Sequence, residues 1–378
     1  MKQIVCLSSA NWYPYPTRKQ QVMSRLRDCE IVYFDPPFSI LAPLKDKSLR
    51  SRLFAFRHEQ PHPRDNITVW SLPPILPFGS KYRFINRINQ AWLSGFIRRR
   101  LKKAGFENPV IWSYLPAHCD VIKKIPHSQV VYDCVDRHSG YPGMINPEVV
   151  DGCERDLARQ CDVVFSTASG LHETLSQYNE HSYMIPNGAN YELFSQAQVQ
   201  LDEVPPELAD IKGPIIGFVG MLQECIDYDL ITAAAEAHPE YTFVFVGKAL
   251  PGVATDGLRS LPNVRLCGLK PQSELPRYLA RFDVCINPFR AGALAKDVSP
   301  LKFYEYLATG KPIVTTPQPE QVLAFADAVE IAADAEGFIK ALERSLVPDA
   351  ARREKRIAYA LECTWEARVR QIEEKLGW

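Results

Sequence analysis

No stretch of the 378-residue chain approaches the ~20 continuous apolar residues of a membrane-spanning helix. The N-terminal run Met1-Lys2-Gln3-Ile4-Val5-Cys6-Leu7 has one basic residue and too short an apolar core for a secretory leader, so a cytoplasmic setting is expected. The ten cysteines form no C-x-x-C pair, and no histidine stands at zinc spacing to them. Neither a disulfide framework nor a structural metal is expected. Cys6, Cys134, Cys267 and Cys285 lie in β-like runs, where a free thiol behaves as a small hydrophobe. No G-x-G-x-x-G follows any β-like run, which argues against a dinucleotide oxidoreductase. Net charge is also absent, with 44 basic and 44 acidic residues, but the balance is uneven. Residues 1–190 hold 24 Lys and Arg against 17 Asp and Glu, and the remainder holds 20 against 27. The first half is therefore the better match for an anionic partner.

What is present is a regular rhythm. With 46% hydrophobic residues the chain can fill two domain cores. Short β-branched or aromatic runs fall at 3–8, 30–34, 67–72, 110–113, 129–134, 162–166 and 183–185. A second series falls at 214–219, 242–246, 263–267, 283–287 and 312–315. Helical patterns alternate with them at 18–27, 81–104, 147–160, 170–177, 228–237, 273–281, 301–309 and 335–346. Such alternation predicts an α/β protein with two parallel sheets. The polar, proline-containing stretch 197–212 reads as a connection. The predicted domains are 1–196 and 197–350, followed by one charged amphipathic helical segment, 351–378.

The most informative stretch runs from Ser299 to Thr315. It reads as a turn, a helix opened by Pro300 at its first position, a stop at Gly310, and a buried strand. A helix start of this kind presents unpaired N–H groups and the positive end of a dipole, which suit a diphosphate. Glu305, one turn in, can accept both hydroxyls of a ribose. The spacing alone also allows a plain helix with one solvated glutamate.

The segment Ser299-Pro300-Leu301-Lys302-Phe303-Tyr304-Glu305-Tyr306-Leu307-Ala308-Thr309-Gly310-Lys311-Pro312 resembles the donor motif of the retaining family 4 (group 1) glycosyltransferases, in particular bacterial members that build surface polysaccharides such as teichuronic acid. The resemblance continues through Gly217-Phe218-Val219-Gly220, Phe245-Val246-Gly247-Lys248, Asn263 to Leu269, Phe282 to Phe289, and Ile185-Pro186-Asn187-Gly188-Ala189-Asn190. It implies the GT-B fold: two Rossmann-like domains facing a central cleft, with a C-terminal helix crossing back to the first domain. It also implies a donor site around Gly220, Lys248, Leu269, Arg290, Lys296, Ser299, Pro300, Leu301 and Glu305. Asp297 stands where the family's first motif acid is usually Glu.

 The same resemblance marks Leu269 and Lys270 as the nucleobase wall.

One departure stands out. Many relatives carry an Arg and a Lys shortly after the position of Gly220 to neutralise the leaving diphosphate. Here Met221-Leu222-Gln223-Glu224-Cys225-Ile226-Asp227-Tyr228 has no cation. The charge created on the leaving group must still be stabilised, which leaves Arg290, Lys296, Lys302 and Lys248 together with the helix start.

On the acceptor side, Val131 to His138 reads as a strand entering a charged turn. Asp136 and His138 are candidate acceptor contacts or proton handlers, alongside Arg18 and Gln20 after the first strand. A turn-stabilising Asp and a solvated His fit the same pattern. The run 81–103 has eight basic residues, no acidic one, and interleaved aromatics, as in a helix lying on an anionic membrane surface. A core-packed helix with a solvated basic end is the plainer alternative. No nucleic-acid motif accompanies the charge. The expectation is a transferase moving a sugar from a UDP- or GDP-type nucleotide-sugar to a saccharide or lipid-linked acceptor in cell-surface polysaccharide synthesis, with retained configuration. Asp136, His138, Asp297 and Lys302 are the expected catalytic set, with no cofactor and no metal. A sugar-nucleotide epimerase and a non-catalytic nucleotide-sugar-binding subunit are the rivals.

Overall fold

The computed structural model describes residues 1–141, 143–199, 201–292 and 295–378, Ala295 by its backbone alone. It divides into two compact units, Met1–Pro186 with Val369–Trp378, and Asn187–Arg368.

The first unit is built on seven parallel strands: β1 (Lys2–Leu7), β2 (Cys29–Asp35), β3 (Ile67–Ser71), β4 (Val110–Ser113), β5 (Gln129–Cys134), β6 (Val163–Ser166) and β7 (Ser182–Met184). Their spatial order is β3-β2-β1-β4-β5-β6-β7. Ile4, Val5, Cys6 and Leu7 are all fully buried, as a central strand covered on both faces requires. Helix Pro147–Ala158 starts where Asn146 accepts a hydrogen bond from the Glu148 amide and Pro147 occupies the first turn. The last residues of the chain pack here: Trp378 meets Trp112 edge-on at 6.3 Å, and Glu373 binds the Arg27 guanidinium.

The second unit repeats the plan with β8 (Ile215–Val219), β9 (Thr242–Val246), β10 (Val264–Gly268), β11 (Val284–Asn287), β12 (Ile313–Thr315) and β13 (Glu330–Ile331), in the order β10-β9-β8-β11-β12-β13. Every pairing between these strands is parallel. Helices Tyr228–Ala237 and Ala335–Ser345 are capped by Asp227 and Asp334, which accept from the amides of Leu230 and Gly337. Both units thus carry the sheet order of a doubly wound fold, with the reversal between first and fourth strand.

Three expectations are revised. The first unit ends at Pro186 rather than at 196, because Asn187 binds Ser299 and Ala189 bridges to Thr364 within the second unit. The segment 351–378 is two helices, Ala350–Glu362 and Trp365–Lys375, parted where the Thr364 hydroxyl accepts from the Ala367 amide. Only Val369–Trp378 joins the first unit. The two-residue strand β13 was not anticipated.

Candidate functional site

In an open parallel sheet, ligands sit beyond the carboxyl ends of the strands where the order reverses. In the second unit that place lies between β8 and β11. β8 runs into Gly220, whose φ of 143° is one that side chains disfavour. A Cβ at 220 would stand 2.8 Å from Cε of Lys302, so the bare turn leaves room for the lysine stem. A Cβ at Gly247, after β9, would stand 1.9 Å from the Gly220 carbonyl oxygen. Tyr306 holds the strand end, its hydroxyl accepting from the Val219 amide at 2.7 Å.

Helix Leu301–Thr309 rises beside this turn and ends at Gly310 in the left-handed conformation. Pro300 is its N-cap, one position earlier than the sequence suggested, and no side chain caps the first turn. The Phe303 amide donates to the Pro300 carbonyl at 3.1 Å, which leaves the amides of Leu301 and Lys302 available there. Lys302 Nζ lies 4.3 Å from the Phe218 ring centre and 4.9 Å from that of Phe289, one residue from each flank of the reversal. Such ring faces hold a cation. Among the described residues no carboxylate makes an ion pair with it, and desolvation pushes its ammonium down to about 8. One turn on, burial pushes the Glu305 carboxyl up to about 7 against a hydrogen bond from Gln272, whose Nε2 lies 3.4 Å from Oε1. The protein thus holds an underpaired cation and an underpaired carboxyl side by side on one helix.

The other expected donor residues divide. Leu301 is partly buried in the helix's first turn, and Leu269 is exposed just after β10. Lys248 is exposed, and its backbone carbonyl accepts from the Leu222 amide at 3.0 Å. Ser299 is occupied structurally: its hydroxyl accepts from the Asn187 amide at 3.1 Å and its carbonyl from Asn187 Nδ2 at 2.9 Å. Arg290 pairs with Asp229 at 3.0 Å, both side chains exposed, and Lys270, beside the expected nucleobase position, pairs with Glu207. Lys296 is exposed and Asp297 buried, both in the short turn Ala295–Asp297. Gln272, Tyr306 and the rings of Phe218 and Phe289 were missed by sequence reasoning. Tyr306, Phe218 and Phe289 stand inside the segments that carry the resemblance and Gln272 lies three residues past Leu269, but residue type alone gave none of them a role.

The metal-free expectation also passed over one D-x-D spacing, Asp227-Tyr228-Asp229. Asp227 is the helix cap described above and Asp229 is the Arg290 partner. Among the described residues no group of three His, Cys, Asp or Glu side chains is placed to hold a metal ion.

In the first unit, Asp136 and His138 follow β5. His138 is buried and donates to the Tyr114 backbone carbonyl, while its Nε2 has no partner. Desolvation pushes the imidazole down to about 4, so it is neutral at physiological pH. Asp136 is partly buried and takes a hydrogen bond from Tyr141. Gln20 is committed within its own segment, whereas Arg18 is committed only in part, since its buried Nη2 has no partner. Arg18 Nε bonds both oxygens of Asp133 at 3.0 Å, with both side chains buried. Gln20 completes a capping box with Thr17 and donates to the carbonyls of Asn11 and Trp12.

Two doubly wound units joined in this order, with the chain's last helix ending in the first, define the GT-B class. Over 100% of this chain and 98% of its own, sucrose-phosphate synthase from Thermosynechococcus elongatus superposes with a TM-score of 0.68 at 15% identity. A trehalose-6-phosphate structure from E. coli bound with UDP-2-fluoro glucose matches 99% of each chain (TM-score 0.71, 11% identity). Anabaena HepE, in complex with UDP and glucose, covers 100% of this chain and 99% of its own (TM-score 0.64, 16% identity). In sequence, residues 213–347 match the family model "Glycosyl transferases group 1", and the chain's second unit carries a domain of that family. Bacillus subtilis (strain 168) TuaH, whose name gives it a provisional place among teichuronic acid biosynthesis glycosyltransferases, is 30% identical over 229 residues. The match spans 57% of this chain and 57% of TuaH.

Proposed function

We propose that the chain is a retaining glycosyltransferase that takes a UDP- or GDP-type sugar at the second unit and transfers the sugar to a saccharide or lipid-linked acceptor at the first. The observation that carries this is Lys302 lying over the Gly220 turn at the sheet reversal, with Glu305 one turn behind it. A diphosphate at the helix start supplies the charge that Lys302 lacks, and the Glu305 carboxylate accepts the ribose hydroxyls. As the bond to the sugar breaks, charge grows on the leaving diphosphate, and Lys302 with the helix amides stabilises it. Lys302 thereby fills the role of the absent Arg and Lys after Gly220. The departing phosphate accepts the proton of the incoming hydroxyl. The UDP-bound relatives make UDP the first nucleotide to try.

Helix Arg83–Lys103 supports a peripheral membrane contact. Phe84, Ile88 and Trp92 are each more than half exposed at a spacing of four residues, beside exposed Lys81 and Arg87. Cell-surface polysaccharide synthesis at the inner membrane face fits that surface.

The test is a thermal-shift panel of UDP, GDP, ADP and CMP with their sugar conjugates, since a ligand bound only by the native state raises apparent stability. One base is expected to stabilise the chain, and Glu305→Ala to weaken that binding by about 1–3 kcal/mol. Unchanged affinity in Glu305→Ala removes the site assignment. Binding without turnover across a panel of acceptors points to a non-catalytic subunit instead.

A further inference from the structure

The first unit contains a cavity of about 340 Å³, at the lower end of the range of about 300–1,000 Å³ typical of ligand pockets. Ile75, Leu76, Phe78, Met144, Ile145 and Val149 give it an apolar wall, and among the described residues no Asp, Glu, Lys or Arg lines it. Among the polar side chains that also line it, two carry a buried atom with no partner. Gln90 is 3% exposed; its Nε2 donates to Asn86 at 3.3 Å, and its Oε1 has no partner. His138 is 7% exposed and its Nε2 likewise has none. Because the other ring nitrogen donates to the Tyr114 carbonyl, Nε2 carries a lone pair. Both orphans are therefore acceptors, and leaving a buried acceptor unsatisfied is costly. The remaining amides on this wall are used: Asn89 clamps Leu76 through its amide and carbonyl at 2.9 and 3.0 Å, and Asn86 Nδ2 donates to the Ala117 carbonyl.

We propose that this cavity binds the uncharged hydrocarbon body of an alcohol, whose hydroxyl donates to Gln90 Oε1 or His138 Nε2. The walls supply hydrophobic burial, and the two lone pairs require a ligand with an O–H donor. An anion is disfavoured, since no cation lines the site and the imidazole is neutral. The cavity's use as part of the acceptor site rests on the transferase reading above and narrows the acceptor to an amphiphile with a neutral apolar portion. The binding itself does not depend on that reading.

The experiment titrates the full chain with 1-octanol, with octyl methyl ether, which has the same chain without an O–H, and with glucose. Binding is read from thermal shift and from ligand NMR, with UDP run in parallel as the readout of the donor site. Octanol is expected to bind about 3–10-fold tighter than the ether, the scale of one satisfied acceptor, and glucose alone not to bind at the cavity. The preference for the alcohol should collapse in Gln90→Leu or in His138→Phe and persist in Trp92→Gln, which alters only the exposed helix face. Val149→Trp, which fills the cavity, should weaken both octyl ligands. Equal binding of alcohol and ether in the unaltered chain overturns the proposal, as does no octyl binding at all or a loss confined to Trp92→Gln. If the nucleotide arm fails while the alcohol arm succeeds, the donor reading falls and the cavity assignment stands.

Discussion

The affinity for a nucleoside diphosphate should fall steeply above pH 8, and the fall should belong to Lys302. Desolvation holds that ammonium at about 8 against an ordinary value of 10.5. A diphosphate in front of it favours the charged form and returns the pKa toward its ordinary value, so binding takes up a proton once the free amine has lost it. Affinity is then level just below pH 8 and declines about tenfold per unit above it. Between pH 8, where half the amine has already lost its proton, and pH 9.5 that is about 16-fold, or about 1.6 kcal/mol. Calorimetric titration of UDP over that interval, where the phosphates no longer titrate, gives the slope directly. Titrations in buffers of different ionisation heat count the proton taken up. Lys302→Met should bind weakly and without the slope, and Lys302→Arg should bind without the slope because guanidinium stays charged. A flat profile in the unaltered chain, or the same decline in Lys302→Met, refutes the assignment of this amine to the diphosphate.

Four further outcomes follow from the same structure. Lys302→Met should stabilise the unliganded chain at pH 7 by about 1–3 kcal/mol in urea unfolding, because a lowered folded-state pKa is a penalty present in full below about 8 and relieved as pH rises toward 10.5. Asp133→Ala should destabilise by about 3–5 kcal/mol by stranding the buried Arg18 guanidinium, measured by the same unfolding. Gly247→Ala should cost more than about 2 kcal/mol, since the added carbon meets the Gly220 carbonyl oxygen at 1.9 Å; an unchanged melting temperature would count against the packed turn. Replacing Phe84 and Trp92 together by Gln should reduce sedimentation with anionic vesicles while leaving nucleotide binding unchanged.

Much of this architecture was legible because buried parallel strands announce themselves. All seven strands of the first sheet and five of the six in the second were anticipated as short apolar runs. β13 escaped because a two-residue edge strand has no periodicity to read. The break at Thr364 was readable in principle, since its hydroxyl caps the next helix, but the surrounding charged pattern stays helical on both sides. The ties that hold Arg18 and Gln20 were hidden for a different reason. A polar residue after a strand end looks alike whether it faces a ligand or folds back, and only the partner Asp133, 115 residues away, decides it.

The donor motif shows the same limit from the other side. Its helix, its glycine stop and Glu305 were visible as residue types in order, whereas the consequence of their placement was not. Lys302 became the leading candidate for the phosphate only once Phe218 of β8 and Phe289, two residues past β11, were seen to flank it without a carboxylate. The burial that pushes Lys302 down to about 8 also pushes Glu305 up to about 7, and neither neutralises the other as an ion pair. For Glu305 the sign runs opposite: the unliganded chain loses stability as pH rises from about 4.5 to about 7, while a ribose that binds the carboxylate gains affinity over the last part of that rise. With Lys302 failing above about 8, nucleotide affinity should be greatest between roughly pH 7 and 8. The unliganded chain bears most of both penalties in that same interval, so the site is least stable empty where it binds best.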